Sequence, residues 1–487
     1  MTANIKTMIN RKNTIILISF LFILFFKYIP APTGLSIAGM QLVGIFIGIL
    51  LLWLTISIDW PSLLCLAALA FVPGLKMSTI LTGSFGNSTF AFLMFTFMCT
   101  YSLSKTPFVR RCAVAFVTSQ IAKKGPWHFA ILFFASVIFI GCFMSPTVLF
   151  VIYLPIIEEI YSVLKLEKGN KIASMLMIGL VICCGISSGM TPIAHVFSLM
   201  AMGYYQTATK LTISYASYMG FAIPVGLISA GLMVVMFRFI LNPDMSIIRG
   251  LNLDSLKEEF KPMERAEKLI LLIFAIIIVL WVAPGLIKPI FPTLANYVDS
   301  FGTALPPLLG VVALSIITDK GKPLMNFGEA MSKGVTWVSL IMCASTLALG
   351  SAITNTDIGL TKFLSASISP VTATLIPIAL VLLFTVWAAL QTNLSSNMVT
   401  VTVVTAIAIP ITLSTKGAVS TPAVVSIIGM MAAYAFATPP AMPCVAIAGG
   451  SGWTNTIELM KYGFTQMLMS VLVTVFIGYP IAVTLMG

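Results

Sequence analysis

The chain has 487 residues, 59% of them hydrophobic and only 9% charged, with a formal net charge of +12. A soluble domain carries about 25% charged residues, so charges this sparse cannot cover a water-exposed surface, and lipid must be the main solvent. The positive balance is therefore no sign of a nucleic-acid partner, because Lys and Arg in a membrane protein mark its cytoplasmic loops.

Crossing a ~30 Å hydrocarbon core takes about 20 apolar residues, and such runs recur along the chain. The first, Asn13–Ile29, follows Lys6, Arg11 and Lys12, which predicts a cytoplasmic N-terminus. So many runs follow it that it is read as a span and not as a cleaved signal. Gly39–Ile58 comes next, then the amphiphilic span Thr89–Ser104 and the basic group Lys105, Arg110, Arg111, Lys123 and Lys124. An apolar stretch near 128–160 is broken midway by Met144-Ser145-Pro146-Thr147 and is expected to end at Pro155. The run Ile172–Ser187 continues into Ser188-Gly189-Met190-Thr191-Pro192-Ile193-Ala194-His195, a span interrupted by small residues and proline.

After Met219–Ile240 comes a polar segment, 242–268, rich in both charges and expected to be a cytoplasmic linker. Leu269–Ala283 and Val335–Ile353 are further spans. A second long stretch, 370–412, is broken by Thr392-Asn393-Leu394-Ser395-Ser396-Asn397 and expected to end at Pro410. It is followed by a second interrupted span, Ala435-Phe436-Ala437-Thr438-Pro439-Pro440, and by the last run, Thr465–Met486. Placing the cluster at 105–124, Lys165/Lys168/Lys171, Arg249/Lys257/Lys261/Arg265/Lys268 and Lys320/Lys322/Lys333 on one side, and Lys210, Lys288, Lys362 and Lys416 on the other, requires each long stretch to enter and leave the membrane on the same side. Both then read as re-entrant hairpins with polar tips. Irregular backbone at that depth is tolerated only where it lines a cavity or is buried in protein.

The fold class expected is thus all-α and polytopic. A unit of span, hairpin and broken span occurs twice in opposite orientation, at 84–241 and 330–487. Broken segments at matching positions of two halves point to a transport site. Its candidates are Ser145, Thr147, Ala194, His195, Ser396, Asn397, Ala437, Thr438 and Pro439. Hydroxyls, amides and helix N-termini suit a carboxylate, and freed carbonyls suit a small cation. Singly, each such residue is equally a packing or kink residue; the duplicated order is what points to a site. His195 is open to both readings, a hydrogen-bonded structural residue or a protonatable group facing the substrate. It aligns by sequence with Thr438. No Asp, Glu, Lys or Arg falls in the tips or broken spans, which argues against a cationic substrate and a carboxylate-driven proton antiporter. No catalytic cluster or nucleophile motif occurs in the spans, so an enzyme is not expected, and no His/Cys cluster suggests a metal or other cofactor. A channel is the remaining alternative.

At these motifs the sequence resembles the divalent anion/sodium symporter family, which pairs two Ser-Asn-Thr hairpin tips with two Thr-Pro-Pro broken spans. The likeness extends to Gly86-Asn87-Ser88-Thr89-Phe90 and to Gly449-Gly450-Ser451-Gly452-Trp453. It implies a homodimer in the cell membrane, with a scaffold (1–83 and 269–329) and an elevator-like transport domain. It also implies small di- or tricarboxylate substrates, with sodium at Ser145, Ala194, Ser396, Asn397 and Ala437. Substrate contacts are implied at Ser145, Thr147, His195, Ser396, Asn397, Thr438 and Pro439. The first tip departs from the pattern, since Pro146 offers neither a side-chain oxygen nor an N–H. A sodium-independent carboxylate exchanger and a sulfate or oxyanion permease are the alternatives within the class.

Overall fold

The computed structural model describes residues 2–248, 262–360, 362–363, 366–367 and 376–486, with side chains from residue 12 onward. Residues 249–261 of the expected linker, and 370–375 of the second expected hairpin, lie outside the described residues. Among the described residues eight helices are long and apolar enough to cross a membrane, or eleven if three bent pairs each count as one span.

α1 (Thr2–Phe25) and α2 (Ile37–Thr55) lie against each other. Gly44 and Gly48 let them approach: a Cβ there would come within 2.5 and 2.6 Å of the Phe22 and Ser19 carbonyl oxygens. α3 (Trp60–Leu69) starts at Asp59, whose carboxylate accepts the Trp60 N–H at 2.7 Å. α4 (Met77–Gly83) and α5 (Ser88–Ser104) form the first bent pair, at 46°. α6 (Phe108–Val117) leads to α7 (Pro126–Gly141) and α8 (Pro146–Val163), which fold back on each other. The first interrupted span is α9 (Lys171–Met190), a break at 191–195, and α10 (Val196–Thr209). α11 (Tyr215–Met236) and α12 (Arg265–Ile287) flank the linker.

α13 (Pro292–Ser300) and α14 (Leu305–Ile316) bend by 66°. A two-residue antiparallel ladder follows, with Thr318 opposite Pro323 and Asp319 opposite Lys322. The short arm Phe327–Gly334 then meets α15 (Trp337–Ile353) at 72°. The second folded-back pair is α16 (Pro377–Leu394) and α17 (Asn397–Ser414). The second interrupted span is α18 (Thr421–Ala433), an irregular stretch at 434–442, and α19 (Pro443–Gly450). α20 (Thr456–Val473) and α21 (Tyr479–Met486) close the chain.

Pro155 and Pro410, expected to end the hairpins, lie inside α8 and α17. In a tightly packed apolar helix the neighbours and local hydroxyls can re-satisfy the freed backbone, so a proline there bends without stopping the helix.

α9 sits at the centre of the molecule, buried along its whole membrane-length window. Its Gly185 and Gly189, one helical turn apart, let the second break lie directly on the helix. A Cβ at Gly185 would meet the Phe436 ring at 2.7 Å, and one at Gly189 would meet Tyr434 at 2.8 Å and the Met430 carbonyl at 3.0 Å. Small residues at this spacing are how helices approach closely in lipid, where no hydrophobic drive brings them together. The two interrupted spans therefore cross in contact, and their breaks come to the same place.

Candidate functional site

A cavity of about 510 Å³ lies where the breaks and hairpin tips meet. One wall holds Met144, Ser145 and Thr147 of the first tip, Ala194 and His195 of the first break, Ser396 and Asn397 of the second tip, and Ala441 and Met442 of the second break. α8, α10, α17 and α19 have as their N-cap residues Ser145, His195, Ser396 and Met442, and all four of these line the cavity. A helix N-terminus exposes N–H groups without intrahelical partners and carries partial positive charge. Four of them on one cavity form an anion cradle without a buried cation.

The sequence builds these N-termini in different ways. Ser145 makes no side-chain cap bond, and Pro146 fills the first helical position, where a missing N–H costs nothing. Its hydroxyl is thereby left for other use. The Ser396 hydroxyl accepts the Val399 N–H at 3.4 Å, a long cap contact. His195 caps α10 through Nδ1, which accepts the Val196 N–H at 2.9 Å, and its ring stacks on Phe197 at 3.9 Å. With Nδ1 an acceptor, the neutral ring carries its proton on Nε2, the nitrogen left to donate.

Matching hydrogen bonds fix the two breaks against the tips. The Thr191 hydroxyl donates to the Cys142 carbonyl at 2.5 Å, and the Thr438 hydroxyl donates to the Asn393 carbonyl. Cys142 lies three residues before Ser145, as Asn393 does before Ser396. Thr191-Pro192 is therefore the counterpart of Thr438-Pro439, and His195 is the counterpart of Met442. The alignment of His195 with Thr438 is corrected by this geometry: both Thr-Pro pairs are struts, and the cavity is lined four residues further on. Thr438, Pro439 and Ala437 accordingly do not line the cavity. Thr438 is 7% exposed with its hydroxyl engaged, and the Ala437 N–H donates to Asn393 Oδ1 at 2.8 Å. Ser145, Thr147, Ala194, His195, Ser396 and Asn397 are brought together as expected.

Two organising residues escaped the sequence reading, and a third, Asn397, acts in a way it did not foresee. Asn393 is fully buried and uses its whole amide. It donates to the Ala389 and Tyr434 carbonyls at 2.9 and 2.8 Å and accepts the Phe436 and Ala437 N–H groups at 3.0 and 2.8 Å. It thus holds the irregular backbone of the second break, which has lost its helical partners. Its place in the polar run 392–397 was the available signal. Tyr218 on α11 does the same for the first break, donating to the Gly189 carbonyl at 2.7 Å and meeting the Ser198 hydroxyl at 2.5 Å. Asn397, turned with its amide nitrogen inward, donates to the Ala441 carbonyl at 2.9 Å and the Thr392 hydroxyl at 3.1 Å. Pro146 gives the first tip no equivalent.

The opposite wall is Phe97, Thr100, Tyr101 and Ser104, one face of α5, with Lys333, Thr336 and Ser339 from the arm and the start of α15. Lys333 is the only Asp, Glu, Lys or Arg among the lining residues.

Residues 48–437 match the family described as citrate transporter. The sodium-dependent dicarboxylate transporter SdcS of Staphylococcus saprophyticus is 24% identical over 472 residues, 94% of this chain and 88% of that protein. The protein of the same name from Staphylococcus aureus strain USA300 is 22% identical over 94% of this chain and 88% of its own length. An uncharacterized transporter of Haemophilus influenzae is 24% identical, covering 73% of each chain. Among solved structures, the YdaH transporter of Alcanivorax borkumensis superposes with a TM-score of 0.52 at 14% identity, over 84% of this chain and 86% of that one.

Proposed function

The chain belongs to the citrate transporter family, and on that premise we propose that it carries small di- or tricarboxylate anions across the cell membrane by sodium-coupled symport. It is a multi-pass membrane transporter and not an enzyme. The observation that carries the reading is the convergence of four helix N-termini on one cavity that has no acidic residue in its lining. Neutral hydroxyls and N–H dipoles hold a carboxylate firmly enough to select it and loosely enough to release it, which a transport cycle requires. Ser145, Thr147, His195 and Ser396 contact the anion; Asn397, whose amide nitrogen is spent on Ala441 and Thr392, leaves its oxygen for a cation, and Asn393, Thr191 and Thr438 hold the backbone that presents the site.

Sodium coupling is supported by the name of the SdcS relatives and by the side-chain oxygens of Ser396 and Asn397 at the second tip. Access alternates by an elevator-like movement of the two inverted units against a scaffold in a homodimer. In this reading the N-terminus and the basic clusters are cytoplasmic. A second reading, sodium-independent exchange, is favoured by one observation: Pro146 leaves the first tip without the side-chain amide that Asn397 gives the second.

The test is uptake of labelled succinate and citrate into proteoliposomes, with and without an inward sodium gradient, and with either anion preloaded. Accumulation driven by sodium supports symport. Uptake stimulated only by internal anion assigns exchange. Flux that neither saturates nor responds to trans substrate is channel behaviour and rejects the transporter reading.

A further inference from the structure

The cavity's binding wall has neutral dipoles only, yet the opposite wall carries Lys333. This residue belongs to neither tip nor break; it stands on the short arm before α15. Its ammonium is 3.4 Å from Glu329 Oε1, and its side chain is 68% exposed, so it stands at the cavity's mouth. Glu329 is shared: the same oxygen accepts the Tyr101 hydroxyl at 2.8 Å and lies 3.5 Å from Lys105 Nζ. One carboxylate thus serves two lysines, leaving a net positive charge at this mouth.

We propose that Lys333 is the entry and release residue for the anion on this face, handing a substrate carboxylate between itself and the helix N-termini while Glu329 takes its place as the resting partner. The inference rests on the cavity being the carboxylate site. Exposed ion pairs of this kind contribute little, about 0–1 kcal/mol, so a second carboxylate displaces Glu329 from Lys333 at small cost. Glu329 keeps Tyr101 and Lys105 when it lets go, so no buried charge is stranded by the exchange. A cation fixed at the mouth raises the local anion concentration and the rate of encounter without deepening the bound state. The arrangement is one-sided. α10 begins at the cavity and runs away from it, and beside its far part lies a second cavity of about 620 Å³, lined by Gly203, Gln206, Tyr215 and Trp281. Among the residues lining that second cavity the one charged side chain is Asp299, so no lysine faces an anion inside it.

The experiment compares saturation kinetics from the two faces, using labelled succinate with right-side-out and inside-out membrane vesicles. Lys333→Gln is expected to raise KM roughly two- to fivefold from the Lys333 face, the size of one weak ion pair, while KM from the other face stays as in the wild type. Lys333→Arg is expected to keep the wild-type value, and Glu329→Gln to lower KM from the Lys333 face by freeing the ammonium. The wild-type KM on that face should climb with ionic strength more steeply than that of the Gln variant. Equal shifts from both faces, or no shift from the Lys333 face, overturn the proposal while leaving carboxylate transport intact. A wild type that moves neither succinate nor citrate removes the functional reading beneath it, an outcome that does not depend on Lys333.

Discussion

Two residues decide how the cavity is built, and they are tested differently. Asn393 fills four hydrogen-bonding roles inside a protein core that is itself in lipid. Replacing it with Ala leaves the Tyr434 carbonyl and the Phe436 and Ala437 N–H groups buried without that partner. Each stranded group costs about 1–3 kcal/mol, so Asn393→Ala is expected to lose several kcal/mol, seen as a sharp fall in folded yield and melting temperature in detergent. Asn393→Asp keeps both acceptors and loses both donors, and should recover only part of the loss. Full stability of the Ala variant would mean that the break is held from elsewhere. His195 asks for a kinetic readout. Its Nδ1 is committed to the Val196 N–H, and protonating that nitrogen would break the cap, so the geometry supports a neutral donor acting through Nε2. His195→Gln, which keeps a donor at similar reach, is expected to raise KM a few-fold and to leave the shape of the pH profile of uptake unchanged. A profile that flattens on substitution would restore the charged-imidazole reading that the sequence alone left open.

At the scale of elements, the polar interruptions were legible because an apolar span has no other reason to carry Ser-Pro-Thr or Ser-Ser-Asn at its middle. Their register was not. His195 drew notice as a rare histidine, and it paired in the alignment with a conspicuous Thr-Pro; its structural counterpart, Met442, carries no polar signal at all. The same blindness hid α5 as the second wall, since Phe97, Thr100, Tyr101 and Ser104 mark a face only once the opposite tips are in place. The crossing of α9 with the second break is likewise tertiary, although its Gly185 and Gly189 were visible. That crossing predicts a contrast between two glycines. Gly189→Ala pushes a methyl to 3.0 Å from the Met430 carbonyl, a backbone atom that cannot step aside, whereas a Cβ at Gly231 meets nothing within 4 Å. Overpacking of this kind costs about 1–3 kcal/mol. Thermal denaturation in detergent should show the Gly189 variant clearly destabilised and the Gly231→Ala variant close to the parent.

For the whole molecule, the charge pattern makes a statement about sidedness that the fold allows to be checked from within. Basic clusters far apart in sequence were placed together only because Lys and Arg favour the cytoplasmic side. In the fold they meet: Arg111 reaches Glu267 at 3.2 Å, Lys320 reaches Glu264 at 3.2 Å, and Lys105 and Lys333 share Glu329. Lys168 lies over the Trp453 ring at 6.0 Å, and the same end is tied by Ser174 to Glu458 at 2.5 Å. The turn holding Lys416 is tied instead to the chain's last helix, where the Ser420 N–H donates to the Tyr479 hydroxyl at 3.2 Å. Lys105, Arg111, Lys320 and Lys333 are thereby joined at one face, and the Lys416 turn is expected at the other. The orientation of that pair of faces in the cell is the remaining step, and two exposed positions test it. In a Cys112→Ser background, Ala418→Cys on the Lys416 turn should react with a membrane-impermeant maleimide in intact cells. Lys322→Cys, on the ladder beside Lys320, should react only after permeabilisation. The reverse pattern would invert the protein and put the Lys333 mouth outside, making it the uptake entrance. Labelling of both in intact cells would place the two turns on one side and reject the proposed inverted orientation of the two units.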